Sequence, residues 1–349
     1  MSASASPAAT RPESVAAAPA GSAVATRRRR RRTGIQGTSL AFWLFVGPFL
    51  VGLVVFTAIP IFWSGWLSLY NARATITPTQ FVGLRNYADF LQDGAFLSSL
   101  RTFAIFAVFI VPVTMAISLI LAILLNRLPF AQGFFRAVFF LPVACSYVVA
   151  ALIWRLGLFT GLPSGLVNEL LGPFGVDPIS RWLTQSPYYW IVLVTVRLWL
   201  QVGFYMLLFL AGLQRIPDQL YEAAAVDGVR QGWRTFRYIT LPQLRATTAA
   251  VLLLLIVAAF QAFDEFYNLV GNNPSTRPPL VYLYYVALGS QQDFGHGSAG
   301  AIILTLIMVV VALAQTRVFG FGGGNDDRKE RRRTRRQREK RQKSQGVSA

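Results

Sequence analysis

Residues 221 to 242 read YEAAAVDGVRQGWRTFRYITLP, with two acids, three arginines and a block of small side chains set between two of the most apolar stretches of the chain. Those flanking stretches decide the solvent. Of 349 residues, 54% are hydrophobic and 14% charged, and the mean hydropathy is +0.47, too apolar for a soluble domain of this length. A helix rising about 1.5 Å per residue needs about 20 apolar residues to cross a hydrocarbon core roughly 30 Å thick. Six such runs lie near residues 41 to 69, 99 to 125, 134 to 157, 188 to 213, 247 to 269 and 298 to 318. Dyad alternation is absent, so these runs are read as helices that satisfy their own backbone bonds. The sequence therefore predicts an all-α membrane protein with six transmembrane helices over residues 38 to 320. The quoted run falls in the 214 to 246 loop between the fourth and fifth.

Lys and Arg resist translocation and mark the cytoplasmic side. Of the 33 basic residues, 25 fall in the N-terminal tail, the 126 to 136 and 214 to 246 connections, and the segment from 318 onward. Only Arg73, Arg85, Arg181 and Arg277 occupy the opposite loops, while Arg101, Arg155, Arg197 and Arg317 lie within spans or at their ends. Both termini and the quoted run are expected inside. The net charge of +18 resides mostly in the tails, 1 to 37 and 321 to 349, which hold seven Arg and eleven Lys or Arg. Their Ala/Ser/Pro and Arg/Gln composition predicts disordered cytoplasmic segments that anchor topology and attract anionic membrane lipids, not nucleic acid. The first apolar run is too long for a signal-peptide core and lacks a close small-residue cleavage site.

One cysteine (Cys145) and one histidine (His296) cannot make an intrachain disulfide, a structural zinc site or a Cys/His catalytic pair, so no metal or cofactor is expected. The only lysines, Lys329, Lys340 and Lys343, lie in the tail and none follows a glycine. A phosphate-cradling Gly-Lys-Ser/Thr loop is thus absent, and no enzymatic activity is expected. GFGGG at 320 to 324 reads as a helix terminator and flexible exit.

Just before the quoted run, Asp218 after Pro217 is expected as an N-cap, strong helix formers follow to Val226, and Gly228 permits a positive-φ turn. From Val229, the residues Trp233, Phe236, Tyr238, Ile239 and Leu241 predict a second helix with one apolar face, jointed at Pro242 before the fifth span. The loop is read as a helix-turn-helix elbow.

The order Glu222-Ala223-Ala224, Asp227-Gly228, Phe236, Ile239, Leu241-Pro242 resembles the EAA motif of permease subunits in binding-protein-dependent ABC importers. FVGLRNY (81 to 87), FFRAVFFLPVACSYVVAALIWR (134 to 155), GFYMLLFLAGLQRIPDQLYEAA (203 to 224) and FQAFDEFYNL (260 to 269) resemble its sugar-permease branch, in particular the first permease of maltose and glycerol-3-phosphate transporters. The stretch GNNPSTRPPL (271 to 280) departs from it, since relatives carry a Thr and paired glycines there. The resemblance implies a type I importer permease in a bacterial-type plasma membrane. It would work with a second homologous permease, a cytoplasmic ATP-binding subunit dimer and an extracytoplasmic solute-binding protein. It further implies that the elbow docks in a groove of the ATPase. Glu222 would pair with a basic group there, Ala223 and Ala224 would permit close docking, Gly228 would allow the turn and Asp227 would stabilise it.

Polar residues inside spans are the other informative set. Arg197 and Gln201 lie four apart on one helix face, and an ionisable group at membrane depth faces a protein interior, a wet cavity or, by snorkelling, the outer surface. Asp264 and Glu265 read as interfacial charges, or Asp264 as facing the pathway. Trp199, Tyr205 and Phe260 are either pathway aromatics suited to sugar faces or ordinary core and belt rings. Alternatives are a permease for glycerol-3-phosphate, a polyamine or another non-sugar solute, a secondary transporter, or a channel subunit. No internal repeat and few intramembrane acids count against the secondary transporter.

Overall fold

The computed structural model describes residues 38–319 except Thr79, Pro129, Arg230 and Gln231. The two basic tails lie outside the described residues, so the disorder expected of them is not addressed. Two compact units divide at Thr57/Ala58. The first contains α1 (Thr38–Leu53), an uncharged apolar helix with Pro48 inside it.

In the second unit, α2 (Ile59–Leu67) carries a proline in its first turn, directly after a π-helical turn at Val54–Ala58. The helices α3 (Arg85–Gln92) and α4 (Gly94–Asn126) follow almost without a break because Asp93 caps α4, its Oδ1 accepting from the Ala95 N–H at 2.8 Å. Next come α5 (Gln132–Phe140), α6 (Tyr147–Ile153), α7 (Leu166–Leu171) and the 26-residue α8 (Tyr188–Leu213). The long helices α4 and α8 pack along each other and form the centre of the main core, to which Phe106, Ile110, Val192, Leu193, Met206 and Phe209 contribute. Small residues let the backbones approach, as membrane helix packing requires. Ser118 of α4 donates to the Val202 carbonyl at 3.1 Å. A Cβ at Gly203 would lie 1.8 Å from the Phe139 carbonyl oxygen, so glycine is the residue that lets α8 pass the end of α5.

After α8 come α9 (Asp218–Val226), the short turns α10 (Trp233–Thr235) and α11 (Leu241–Gln243), α12 (Arg245–Phe260), α13 (Asp264–Leu269), α14 (Pro279–Ala287) and α15 (Phe294–Phe319). Helices α3, α14 and α15 enclose a second apolar cluster around Phe90, Phe96, Phe260 and Leu283. Tyr282 of α14 donates to the second oxygen of Asp93, joining α14 to the cap of α4. Burial, and then that carboxylate, hold the Tyr282 phenol above its ordinary range. Asp293 serves α15 in the same way, accepting from the His296 N–H at 3.0 Å while Arg73 pairs with its other oxygen at 2.9 Å.

Among the described residues, four helices are long and apolar enough to cross a membrane: Phe42–Leu67, Gly94–Asn126, Tyr188–Leu213 and Phe294–Arg317. The other two expected spans are not straight. Gln132–Ala144 and Tyr147–Leu158 meet at 95°, and Trp233–Gln243 and Arg245–Phe260 at 71°, giving up to six spans if each bent pair counts as one. The first bend follows Pro142, where a tight turn leads into Cys145 and Ser146, both extended (ψ 136° and 140°) and unable to continue a helix. The second falls at Leu244 (ψ 0°), just beyond Pro242. The expected fifth span is also interrupted, because α12 ends at Phe260 and Phe263 (φ −141°) separates it from α13.

Candidate functional site

Two groups of residues concern function. The first is α9 and its turn. Pro217 occupies the N-cap in an extended conformation and Asp218 is the first helical residue, which corrects the expectation that Asp218 itself caps. Its charge still lies at the positive end of the helix dipole. The other end closes with a complete backbone motif. Gly228 turns left-handed (φ +77°), its N–H donates to the Ala225 carbonyl at 3.1 Å, and the Val229 N–H donates to the Ala224 carbonyl at 2.9 Å. Among the described residues, no heavy atom beyond its chain neighbours lies within 4 Å of a Cβ built at Gly228, so conformation, not space, calls for glycine there.

Glu222 and Ala223 are exposed on α9, whereas Ala224 is 9% exposed and turned toward the chain's own interior. Ala223 and Ala225 are the small residues on the open face. Asp227 is exposed at the C-cap, and among the described residues its carboxylate forms no hydrogen bond or ion pair. Backbone bonds hold the turn that its side chain was expected to hold, and an acid at a helix C-terminus opposes the dipole. Beyond the turn, the arm Trp233–Gln243 contains a π-helical turn at Phe236–Thr240. That wider turn shifts the helical phase, so the predicted face is not buried as one stripe: Trp233 and Tyr238 are 74% and 76% exposed, Trp233 packs on Phe236 at 5.4 Å, and Thr235 and Thr240 are buried. Tyr221 and Thr240 are joined through their hydroxyls at 3.2 Å, tying α9 to this arm.

The second group is a polar cluster inside the helical core. Arg197, Gln201 and Tyr205 succeed one another at four-residue intervals on α8, and all three are buried. Arg197 is ion-paired to Glu265 of α13 and donates to the Ala258 carbonyl of α12. Its guanidinium lies 5.9 Å from the centre of the Phe106 ring and 5.7 Å from that of Tyr147. Gln201 donates to the Tyr147 hydroxyl at 2.9 Å. Arg197 does not snorkel, and Glu265, expected as an interfacial charge, is 1% exposed.

The remaining residues of that predicted set separate from the cluster. Trp199 projects from another face of α8, 40% exposed, against Trp154 at 5.0 Å. Phe260 packs on Phe103 at 4.3 Å in the second apolar cluster. Asp264 is exposed at the start of α13. Sequence reasoning missed Tyr147 and the pairing of Glu265. The available signal was the presence of opposite charges in two spans, since buried charges in a membrane pair with one another. Among the described residues, no three His, Cys, Asp or Glu gather as a metal site.

Residues 114–319 match the family of binding-protein-dependent transport system inner membrane components, and the chain belongs to that family. It is 32% identical over 267 residues to a probable ABC transporter permease protein of Pyrococcus horikoshii, covering 76% of this chain and 90% of that one. To the trehalose/maltose transport system permease protein MalF of Thermococcus litoralis it is 33% identical over 264 residues, covering 75% and 87%. Its fold is shared with a chain of a bacterial ABC transporter involved in the import of the acidic polysaccharide alginate, at a TM-score of 0.72 and 19% identity, covering 83% of this chain and 98% of that one. The architecture is that of an ABC importer permease, an inner-membrane component with several apolar helices.

Proposed function

We propose that this chain forms half of the translocation pathway of an ATP-driven importer for a sugar or related small polar solute. A second homologous permease forms the other half, an extracytoplasmic binding protein delivers the solute, and a cytoplasmic ATPase dimer drives the cycle. Both termini and the 214 to 246 loop face the cytoplasm. The observation that carries this is α9 in a chain of this family: a short helix with a fixed end, presenting Glu222 and Ala223 outward on the same side as most loop arginines. A rigid, charged, thin element is suited to transmitting movement between ordered bodies. The sugar assignment is supported by the trehalose/maltose relative.

Within the pathway, Arg197, Gln201 and Tyr205 belong to the polar lining, with Trp199, Phe260 and Asp264 as further candidates. Because Glu265 and the Ala258 carbonyl already engage Arg197, its charge is compensated, which favours a neutral solute over a phosphate ester or polyamine. The chain supplies no chemistry of its own in this cycle.

Two measurements test the proposal. The first is identification of the ligand of the cognate binding protein, followed by ATPase stimulation of the reconstituted complex by the loaded protein. Stimulation by a non-carbohydrate alone removes the sugar assignment. The second, in a Cys145→Ser background, is reagent access to Thr77→Cys from outside only and to Gln219→Cys from inside only. The reverse pattern removes the orientation.

A further inference from the structure

A cavity of about 650 Å³ opens between α9, the Trp233–Gln243 arm and the end of α4. Its lining combines three features. Arg127, at the C-cap of α4, supplies a cation, and Asp218, the first residue of α9, supplies an anion. Both are exposed, and among the described residues neither is in an ion pair. An apolar wall of Ile120, Ile123, Trp233 and Phe236 completes the cavity. Ile123 and Ile120 lie about 6 and 10 Å from Arg127 along α4, back toward the interior of the span. The wall therefore leads from the two charges along the candidate span Gly94–Asn126, and Trp233 adds an indole of the kind that concentrates at membrane interfaces.

We infer that this cavity holds an aminophospholipid of the phosphatidylethanolamine type from the inner leaflet. Its phosphate meets Arg127, its primary ammonium meets Asp218, and an acyl chain lies along Ile123 and Ile120. The charges select the head group. A purely anionic lipid would set its charge against Asp218, and a choline head group carries no N–H to donate to that carboxylate. A soluble phosphate or sugar would leave the apolar wall unused. Because Asp218 begins α9, the bound lipid ties the element proposed to contact the ATPase to the end of α4, making coupling responsive to membrane composition. The leaflet assignment rests on the proposed orientation, but the binding site does not rest on transport.

The test is native mass spectrometry of the full chain in detergent, titrated separately with phosphatidylethanolamine, phosphatidylcholine and phosphatidylglycerol of identical acyl chains. The ethanolamine lipid is expected to be retained about two- to fivefold more than the choline lipid, the range an exposed charge pair provides. Asp218→Asn should abolish that difference, and Arg127→Ala should lower retention of both. Ile123→Trp, which fills the cavity, should displace the lipid, with an unchanged melting temperature showing that the fold persists. Equal retention of the ethanolamine and choline lipids by the unmodified chain overturns the inference. So does a preference that survives Asp218→Asn, or tighter retention of phosphatidylglycerol. None of these results bears on the transport proposal, which is read by ATPase stimulation by the loaded binding protein.

Discussion

Arg197 on α8 and Glu265 on α13 form an ion pair across 68 residues of sequence, with side chains 3% and 2% exposed. The pair fastens α13, a six-residue segment that restarts after the helix break at Phe263, to the buried face of α8. Removing one partner strands the other charge in the core, which typically costs about 3 to 5 kcal/mol, whereas replacing both by apolar groups of similar volume is often nearly neutral. Arg197→Met and Glu265→Leu should each lower the melting temperature of the purified chain substantially, and the two combined should recover most of the loss. Costs of the two single changes that simply add in the double variant would show that the side chains are not coupled.

Gly203 presents a different kind of constraint. A methyl group there would sit 1.8 Å from the Phe139 carbonyl oxygen, and backbone cannot swing aside as a side chain can. Gly203→Ala should therefore separate α8 from α5 and cost at least the 1 to 3 kcal/mol typical of overpacking, by about the scale seen in well-packed cores. At Gly212, the nearest obstacle is the Thr247 hydroxyl at 2.6 Å, a side-chain atom. Gly212→Ala should be the milder change in a thermal melt, and an equal or larger loss than at Gly203 would contradict this ranking.

How far the chain could be read in advance depended on whether a signal was local. The spans ending at Leu67, Asn126, Leu213 and Arg317 are long apolar helices without a sharp bend, so hydropathy finds them. Pro142 and Pro242 announced breaks, but only the second was used, and the 95° angle after Pro142 depends on Cys145 and Ser146 being extended. Gly228 was legible because a helix end followed by glycine has few conformations. The exposed Trp233 and Tyr238 were not, because a π-helical turn alters the phase without any compositional mark. Nor could the sequence show that Glu265, next to the exposed Asp264, turns inward to Arg197: two adjacent acids on a helix point about 100° apart, and the partner is set by tertiary packing.

The open space around Gly228 makes a clean test of backbone strain. Among the described residues, nothing beyond the chain neighbours lies within 4 Å of an added Cβ, yet φ is +77°, a region costing an ordinary L-residue about 1 to 2 kcal/mol. Gly228→Asn should be tolerated best, since asparagine enters this region more readily, Gly228→Ala should be intermediate, and Gly228→Val worst. Uptake measured for the three at matched expression should follow that order. Equal activity of the valine and asparagine variants would mean that the left-handed turn is dispensable.

Glu222 lies exposed on α9, one residue before the exposed Ala223, and is in no ion pair among the described residues. Its removal should therefore leave insertion and thermal stability of the isolated permease close to unchanged, as for other surface substitutions. In the assembled transporter the expectation differs. If the carboxylate is paired with a basic group in an ATPase groove, Glu222→Ala leaves that group unpaired at an ordered contact, a loss of about 2 to 5 kcal/mol when such a pair is buried. The variant should be expressed at near-normal levels but lose uptake, retain the ATPase poorly during purification, and show weaker stimulation of ATP hydrolysis by the loaded binding protein. Glu222→Gln, which keeps the shape and a hydrogen-bonding oxygen, should fall between the two. Normal transport by Glu222→Ala with the ATPase stably bound would remove the coupling role from this residue and leave α9 as a helix resting at the membrane surface.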